Sequence, residues 1–130
     1  MKPELIVTGT IGIDTIQTPT SSVEGVLGGS AAYFAAAASF YCPVGLVAAV
    51  GGDWPIEHKI ELDSFSNICV KGIEQRDGGK TFSWGGRYGV NPNDRTTLYT
   101  ELGVLEENPP NIPDEYKKIK NIFLANSHPL

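Results

Sequence analysis

Short apolar runs alternate with polar segments along this chain, and several of the runs end at glycine or proline. Four runs are strand-sized and nearly free of polar residues, as expected for strands that are buried on both faces. They span residues 5–9, 44–50, 67–73 and 121–125. Helix-like segments separate several of them, and this alternation predicts an α/β fold with a parallel, Rossmann-like sheet flanked by helices.

Three segments are predicted to be helices. Residues 30–40 are apolar on nearly every side, which predicts a buried helix with Ser30 as its N-cap. Residues 53–65 predict a second helix, capped by Asp53 and with a proline near its first turn. Residues 114–120 predict a third, short helix.

Two further regions have strand character but do not fit the alternation. Residues 14–26 are rich in Thr and Ser and contain a proline, so we expect an extended excursion there rather than a helix. Residues 80–88 and 95–102 lie on either side of a strong turn signal at residues 91–94. This pair is predicted to form a hairpin, set apart from the main sheet.

The composition favours one globular, cytoplasmic domain. Hydrophobic residues make up 41% of the chain and charged residues 19%, which argues against disorder. The formal net charge of −5 disfavours nucleic acid and acidic lipid surfaces as partners, because phosphate binding needs a basic footprint. No apolar stretch approaches the ~20 residues that span a bilayer, and the first residues lack the features of a signal peptide.

The cysteines and histidines form no recognisable metal or redox motif. Cys42 and Cys69 lie in apolar or strand-like surroundings and are predicted to be buried free thiols. His58 and His128 have no partner at metal-ligand spacing, and both are predicted to lie on the surface. We therefore expect no metal site within this sequence.

The most informative motif is the diglycine Gly28-Gly29, directly before the apolar helix. Glycine lets a ligand approach the backbone closely, and a helix N-terminus presents unpaired N–H groups to it. A dinucleotide-binding site would need Gly-x-Gly-x-x-Gly between the first strand and its helix. Here the glycines at residues 9 and 12 lead into no helix, so the pattern favours a different small-molecule site.

Three motifs follow one another in the first part of the chain. They are Val-Thr-Gly-Thr-Ile-Gly-Ile-Asp at 7–14, Gly-Gly-Ser-Ala-Ala-Tyr-Phe-Ala at 28–35 and Val-Gly-Leu-Val-Ala-Ala-Val-Gly-Gly-Asp at 44–53. Together they resemble the ribokinase-like carbohydrate kinases of the PfkB family. The resemblance implies that residues 1–130 are the N-terminal part of a single domain, with a small β lid whose strands lie within 14–27 and 80–103. It covers only the first half of such a kinase, so the chain is expected to be truncated.

The resemblance implies transfer of the γ-phosphate of ATP, with Mg²⁺, to a hydroxymethyl group of a carbohydrate or nucleoside-like substrate. The Gly-Ala-Gly-Asp motif that carries the family's catalytic aspartate does not occur here, so that residue is expected beyond Leu130. The chain would then hold part of the substrate site and bind neither ATP nor Mg²⁺ alone. Lid strands often pair between subunits in this family, which allows a homodimer. The alternative is a non-catalytic small-molecule-binding module derived from such a kinase.

Four residues in the first motifs match substrate-binding positions of the family. Asp14 matches an aspartate that accepts hydrogen bonds from substrate hydroxyls, a task suited to an acceptor-only carboxylate; the alternative is a turn residue that bonds its own backbone. Gly28 and Gly29 match the diglycine beside which the sugar lies. Tyr33 stands where many members have asparagine, and it either stacks on a bulky substrate group or packs in the core.

The later part of the chain adds further candidates. The resemblance places Phe82, Trp84, Arg87 and Tyr88 under the lid, where they would exclude water from phosphoryl transfer. Arg87 either meets an anionic substrate group or is an exposed strand arginine. Asn126, at the end of the last strand, falls near the place where family members contact the substrate again.

Overall fold

Two four-stranded sheets are formed by residues 1–129, which the computed structural model describes. In chain order the strands are β1 (Leu5–Thr8), β2 (Gly12–Gln17), β3 (Ser22–Gly28), β4 (Val44–Gly51), β5 (Ile68–Arg76), β6 (Phe82–Tyr88), β7 (Arg95–Glu101) and β8 (Asn121–Leu124). The helices are α1 (Ser30–Ala38) and α2 (Ile56–Asp63), and short 3₁₀ segments lie at Gly103–Glu106 and Asp114–Tyr116.

The first sheet, here termed the parallel sheet, has the strand order β5-β4-β1-β8, and each neighbouring pair is parallel. The second, termed the mixed sheet, has the order β3-β2-β6-β7 and consists of two antiparallel hairpins joined by the parallel pair β2–β6. β2 follows the carboxyl end of β1, and β6 follows that of β5. The mixed sheet thus begins at the edge where open α/β sheets bind ligands.

The main core lies between the parallel sheet and α1. Every residue of β4 is buried. One core cluster contains alternate residues of β4 and small residues of α1, namely Val44, Leu46, Ala48, Val50, Ala31, Ala32 and Ala35. On the opposite face of the sheet, Ile6 and Val47 pack against Tyr116. The continuous apolar run of β4 therefore reflects burial on both faces.

The predicted α/β class, with a parallel sheet flanked by helices, is confirmed. The four strands predicted from the apolar runs are β1, β4, β5 and β8. The prediction that residues 121–125 are buried is wrong, because every residue of β8 is exposed at the edge of the parallel sheet. The extended excursion is the β2–β3 hairpin, and the second predicted hairpin is β6–β7. The strands of these two hairpins, β2, β3, β6 and β7, overlap the ranges 14–27 and 80–103 that were predicted for lid strands.

The predicted N-cap of the first helix is wrong. Gly29 is the N-cap of α1, and no side chain forms a capping hydrogen bond there. The Ser30 hydroxyl instead pairs with the side-chain oxygen of Asn126. Ser30 therefore binds a residue at the end of β8 and not a backbone N–H group of the helix.

Asp53, the predicted cap of the second helix, caps no helix. α2 begins at Ile56, after a proline at the N-cap position. The Asp53 carboxylate instead accepts a hydrogen bond of 2.7 Å from the backbone N–H of Thr81. Asp53 therefore joins the loop after β4 to the start of β6.

The helix predicted over residues 114–120 is also wrong, since only Asp114–Tyr116 forms a 3₁₀ turn. Tyr116 and Ile119 pack on the sheet, whereas the three lysines of this segment are exposed. Two anchoring residues do not offset the cost of nucleating a helix of this length.

His58 was predicted to lie on the surface but is buried, with 6% of its surface exposed. His128 is exposed, as predicted. Cys42 and Cys69 are free thiols and are partly rather than fully buried. α1, with nine residues, and α2, with eight, are both too short to cross a bilayer, and no other part of residues 1–129 forms a helix that could.

Candidate functional site

Asp14 and Gly28 lie side by side in the β2–β3 hairpin, next to the start of α1. Gly28 is buried, and a Cβ atom placed on it would overlap the Asp14 carboxyl group. The carboxyl oxygen Oδ1 is buried and has no hydrogen-bond partner among residues 1–129. Because Asp14 lies within a strand, its role is not that of a turn residue. A buried acceptor of this kind suits a hydroxyl donor from a ligand.

Burial also changes the electrostatics of this group. Removal from water raises the pKa of the Asp14 carboxyl group above its ordinary value, because the charged form loses hydration. Hydroxyl donors from a ligand would replace that hydration and favour the ionised form.

Gly29 lets the start of α1 pack closely against the segment after β1. Its φ of +101° is rarely adopted by other residues, and a Cβ atom on it would overlap the carbonyl oxygen of Thr10. That carbonyl accepts a hydrogen bond of 3.0 Å from the Ala31 N–H. The two glycines therefore have different roles: Gly28 leaves room for a carboxyl group, and Gly29 for backbone. The Ala31 N–H group at the start of α1 is therefore bonded within the protein and does not point freely at a ligand.

Asn126 reaches the same region from the end of β8. Its carbonyl oxygen accepts hydrogen bonds from the Thr10 N–H at 3.1 Å and from the Thr10 hydroxyl at 2.8 Å. Its side-chain oxygen pairs with the hydroxyl of Ser30, the first residue of α1. Asn126 thus ties β8 to the start of α1, beside the diglycine.

Two aromatic rings share the face of the mixed sheet that carries Asp14. Trp84 on β6 is the register partner of Asp14, and Phe82 is the register partner of Gly12. The Phe82 ring lies against Gly12, where an added Cβ atom would come within 2.8 Å of it, and the Trp84 ring lies over Gly86. We term the surface formed by Asp14, Phe82 and Trp84 the Asp14 face. It places a hydrogen-bond acceptor beside flat apolar groups.

Tyr33 and Arg87 are not brought onto the Asp14 face. Tyr33 is 61% exposed on α1 and does not pack in the core; its hydroxyl donates to the Leu27 carbonyl over 3.4 Å. Arg87 is the register partner of Gln17 and donates to its side chain over 3.1 Å. Since side chains alternate along a strand, Arg87 lies on the opposite face from Trp84. Substrate-binding roles for Tyr33 and Arg87 stay predictions.

Thr10 was missed in the sequence analysis, although it connects α1 to Asn126. The sequence offered one indication of this contact, the glycine at position 9 directly after β1. In the structure Gly9 has a φ of +155°. A Cβ atom on Gly9 would come within 2.6 Å of the Ala125 side chain. A glycine in this place indicates close approach of two backbones, but it does not identify the partner.

No protein-family profile and no curated protein matches this sequence. The structure, in contrast, is similar to solved kinases. The nucleoside kinase of Methanocaldococcus jannaschii, an archaeal member of the ribokinase family, matches with a TM-score of 0.69 and 19% identity, over 98% of this chain and 46% of its own. Ribokinase from Cryptococcus neoformans var. grubii serotype A, solved in complex with ADP, matches with a TM-score of 0.73 and 17% identity, over 95% of this chain and 41% of its own. The chain has the ribokinase fold.

A third similar structure is that of the nucleoside kinase of Burkholderia thailandensis in complex with inosine. It matches with a TM-score of 0.61 and 13% identity, over 78% of this chain and 36% of its own. The predicted ribokinase-like fold is thus confirmed, and the chain spans less than half the length of each of these three kinases. At these identities the likeness shows the fold and not the activity.

Proposed function

We propose that this chain carries the substrate-binding part of a kinase with the ribokinase fold. The reaction is transfer of the γ-phosphate of ATP to a hydroxymethyl group of a carbohydrate or nucleoside-like substrate. The observation that carries the proposal is the half-buried Asp14 carboxyl group, whose Oδ1 has no partner within residues 1–129. It lies beside Gly28, at the carboxyl edge of the parallel sheet.

The residues of the Asp14 face have roles that follow from their chemistry. Ionised Asp14 accepts hydrogen bonds from neighbouring substrate hydroxyls and so orients the sugar ring. Phe82 and Trp84 cover an apolar face of the substrate and exclude water. Orientation of this kind supports phosphoryl transfer, in which catalysis depends mainly on positioning and electrostatics.

ATP supplies the phosphoryl group in this proposal, and Mg²⁺ offsets the charge of its phosphates. Within residues 1–129, no three His, Cys, Asp or Glu side chains are placed to hold a metal ion together. We therefore assign none of these residues to Mg²⁺. In this proposal the ATP site and the catalytic aspartate lie in a longer protein. A cytoplasmic location, a homodimer through the mixed sheet, and the exclusion of nucleic acid and membrane as partners stay predictions.

Calorimetric titration of the chain with D-ribose, D-fructose, adenosine and inosine tests the proposal. Asp14→Asn should weaken binding about 10-fold or more, because a hydrogen bond to a charged group contributes about 1.5–3 kcal/mol. Glu24→Gln is the matched control, since it neutralises an exposed carboxylate on the same hairpin. It should leave the affinity unchanged.

The outcomes separate the parts of the proposal. Equal affinities for the original chain and Asp14→Asn would show that Asp14 is not a substrate ligand. A folded chain that binds none of the four compounds would contradict the substrate-site assignment. If a longer product of the same gene binds a sugar or nucleoside but transfers no phosphate from ATP, the non-catalytic binding module is the better account.

A further inference from the structure

His58 holds a buried position that packing alone does not explain. It lies in the first turn of α2, and its Nε2 atom is 2.9 Å from the carbonyl oxygen of Gly25 on β3. A carbonyl oxygen only accepts hydrogen bonds, so Nε2 is the donor in this contact. The Trp54 ring lies edge-on to the imidazole, with 6.3 Å between the ring centres.

Gly25 occupies an irregular position on β3. Asp14 pairs with Val26 and Ile16 pairs with Val23, so Glu24 and Gly25 together stand opposite the single residue Thr15. This is a β-bulge, and within it Gly25 has a left-handed φ of +66°, a conformation that favours glycine. The bulge carbonyl that His58 binds is therefore one residue away from the strand partner of Asp14.

The rest of the protein makes few polar contacts with this strand. Within residues 1–129, two side chains from outside the mixed sheet form hydrogen bonds to the β3 backbone, those of Tyr33 and His58. The Tyr33 bond is long, at 3.4 Å, and comes from an exposed residue. The His58 bond is shorter and comes from a side chain that is 6% exposed, so it is the stronger of the two.

We propose that His58 is a positioning residue, a latch that ties the bulge of the β2–β3 hairpin to α2 and thereby fixes Asp14 relative to the parallel sheet. The latch itself does not depend on kinase activity. Its consequence for substrate binding rests on the proposed function, because Asp14 is the acceptor there. The latch assigns a role to a buried titratable group that the proposed reaction does not use.

Hydrogen exchange on the full 130-residue chain tests the latch. His58→Leu removes the donor but retains apolar volume, and His58→Gln keeps an N–H donor at the ε position. In His58→Leu the amides of β3 should exchange roughly tenfold faster, which corresponds to about 1.4 kcal/mol. Exchange in β4 and β7 should stay unchanged, and His58→Gln should restore protection of β3.

A second measurement needs no substitution. The ¹⁵N chemical shifts of the His58 ring report which nitrogen is protonated, and the latch requires a proton on Nε2. A ring protonated on Nδ1 alone would overturn the proposal. Unchanged β3 exchange in His58→Leu, or an equal acceleration in β4 without rescue by Gln, would also overturn it, since either result assigns His58 to general core packing. These results stand whether or not the chain binds a sugar, so failure of the latch and of the proposed function are distinguishable.

Discussion

Folding removes part of the hydration of the Asp14 carboxyl group. It supplies no hydrogen-bond partner for the oxygen Oδ1 within residues 1–129. Gly28 is the residue that permits this placement, since any larger side chain would overlap the carboxyl group. Binding sites commonly retain such groups at a cost in stability. The cost should be measurable in the chain without any ligand.

We expect Asp14→Asn to raise the thermal unfolding midpoint at pH 7 by about 2–4 °C, a modest effect because the group is only half-buried. The pKa of Asp14 in the folded chain lies above the ordinary value of 3.8. The original chain is therefore destabilised as the pH rises from 3.8 through the folded-state pKa, because the folded chain binds the proton more tightly than the unfolded chain does. The advantage of the Asn variant should therefore disappear below that pH range.

Circular dichroism melts at pH 3.5 and pH 7 check this prediction. Glu24→Gln removes an exposed carboxylate of the same hairpin and should show no such pH-dependent gain. If Asp14→Asn proves less stable than the original chain at pH 7, the carboxyl group has a stabilising partner and the assignment of an unpaired acceptor is wrong.

Sequence motifs pointed to Asp14, Gly28 and Gly29, and the position at the end of the last predicted strand pointed to Asn126. The structure places all four around the start of α1. Sequence reasoning could not show that Gly28 is needed because of Asp14, since this depends on the register between β2 and β3. The role of Thr10 escaped for a similar reason, because its partner Asn126 lies 116 residues away.

Among the secondary-structure elements, the 3₁₀ turn at Asp114–Tyr116 contributes more than its length suggests. The ring of Tyr116 lies on Gly45 of β4 and Gly72 of β5, where added Cβ atoms would come within 2.9 Å and 3.0 Å of it. Tyr116→Ala should lower the free energy of unfolding by about 3–4 kcal/mol, through lost burial and the cavity left behind. Tyr116→Phe keeps the ring and should change it by less than about 1 kcal/mol.

Denaturant titrations of the variants measure these differences. Tyr41→Ala is the control, because Tyr41 is 90% exposed and its loss should change stability by less than about 0.5 kcal/mol. Equal losses in Tyr116→Ala and Tyr116→Phe would mean that the hydroxyl group, and not packing of the ring on the two glycines, holds this turn to the sheet.

Strands were predicted more successfully than helix starts, and the reason is physical. The apolar run of β4 is fixed by burial on both faces, which the sequence itself displays. A capping side chain can form its hydrogen bond with the helix or with another part of the protein, and here both predicted caps bind groups from distant parts of the chain. Asp53 accepts a hydrogen bond from Thr81, 28 residues away, and Ser30 pairs with Asn126, 96 residues away.

Across the whole molecule, β8 is the least covered part of the parallel sheet. It pairs with β1 within residues 1–129 and has no strand on its other side there. Phe123 points to α1 and stacks on Phe34, with 3.6 Å between ring centres. Ile122 and Leu124 face the other way and are 61% and 76% exposed. An open, apolar strand edge is a template for pairing with another chain.

We therefore expect this chain alone to self-associate through β8 as its concentration rises. The double variant Ile122→Lys, Leu124→Lys should weaken association at least about tenfold, because charges on an edge strand oppose pairing. Sedimentation equilibrium measures the change. Val90→Lys provides the control, since Val90 is 92% exposed in the β6–β7 turn, away from the sheet edge. A chain that stays monomeric at every concentration, or that Val90→Lys dissociates equally well, would show that β8 is not the associating edge.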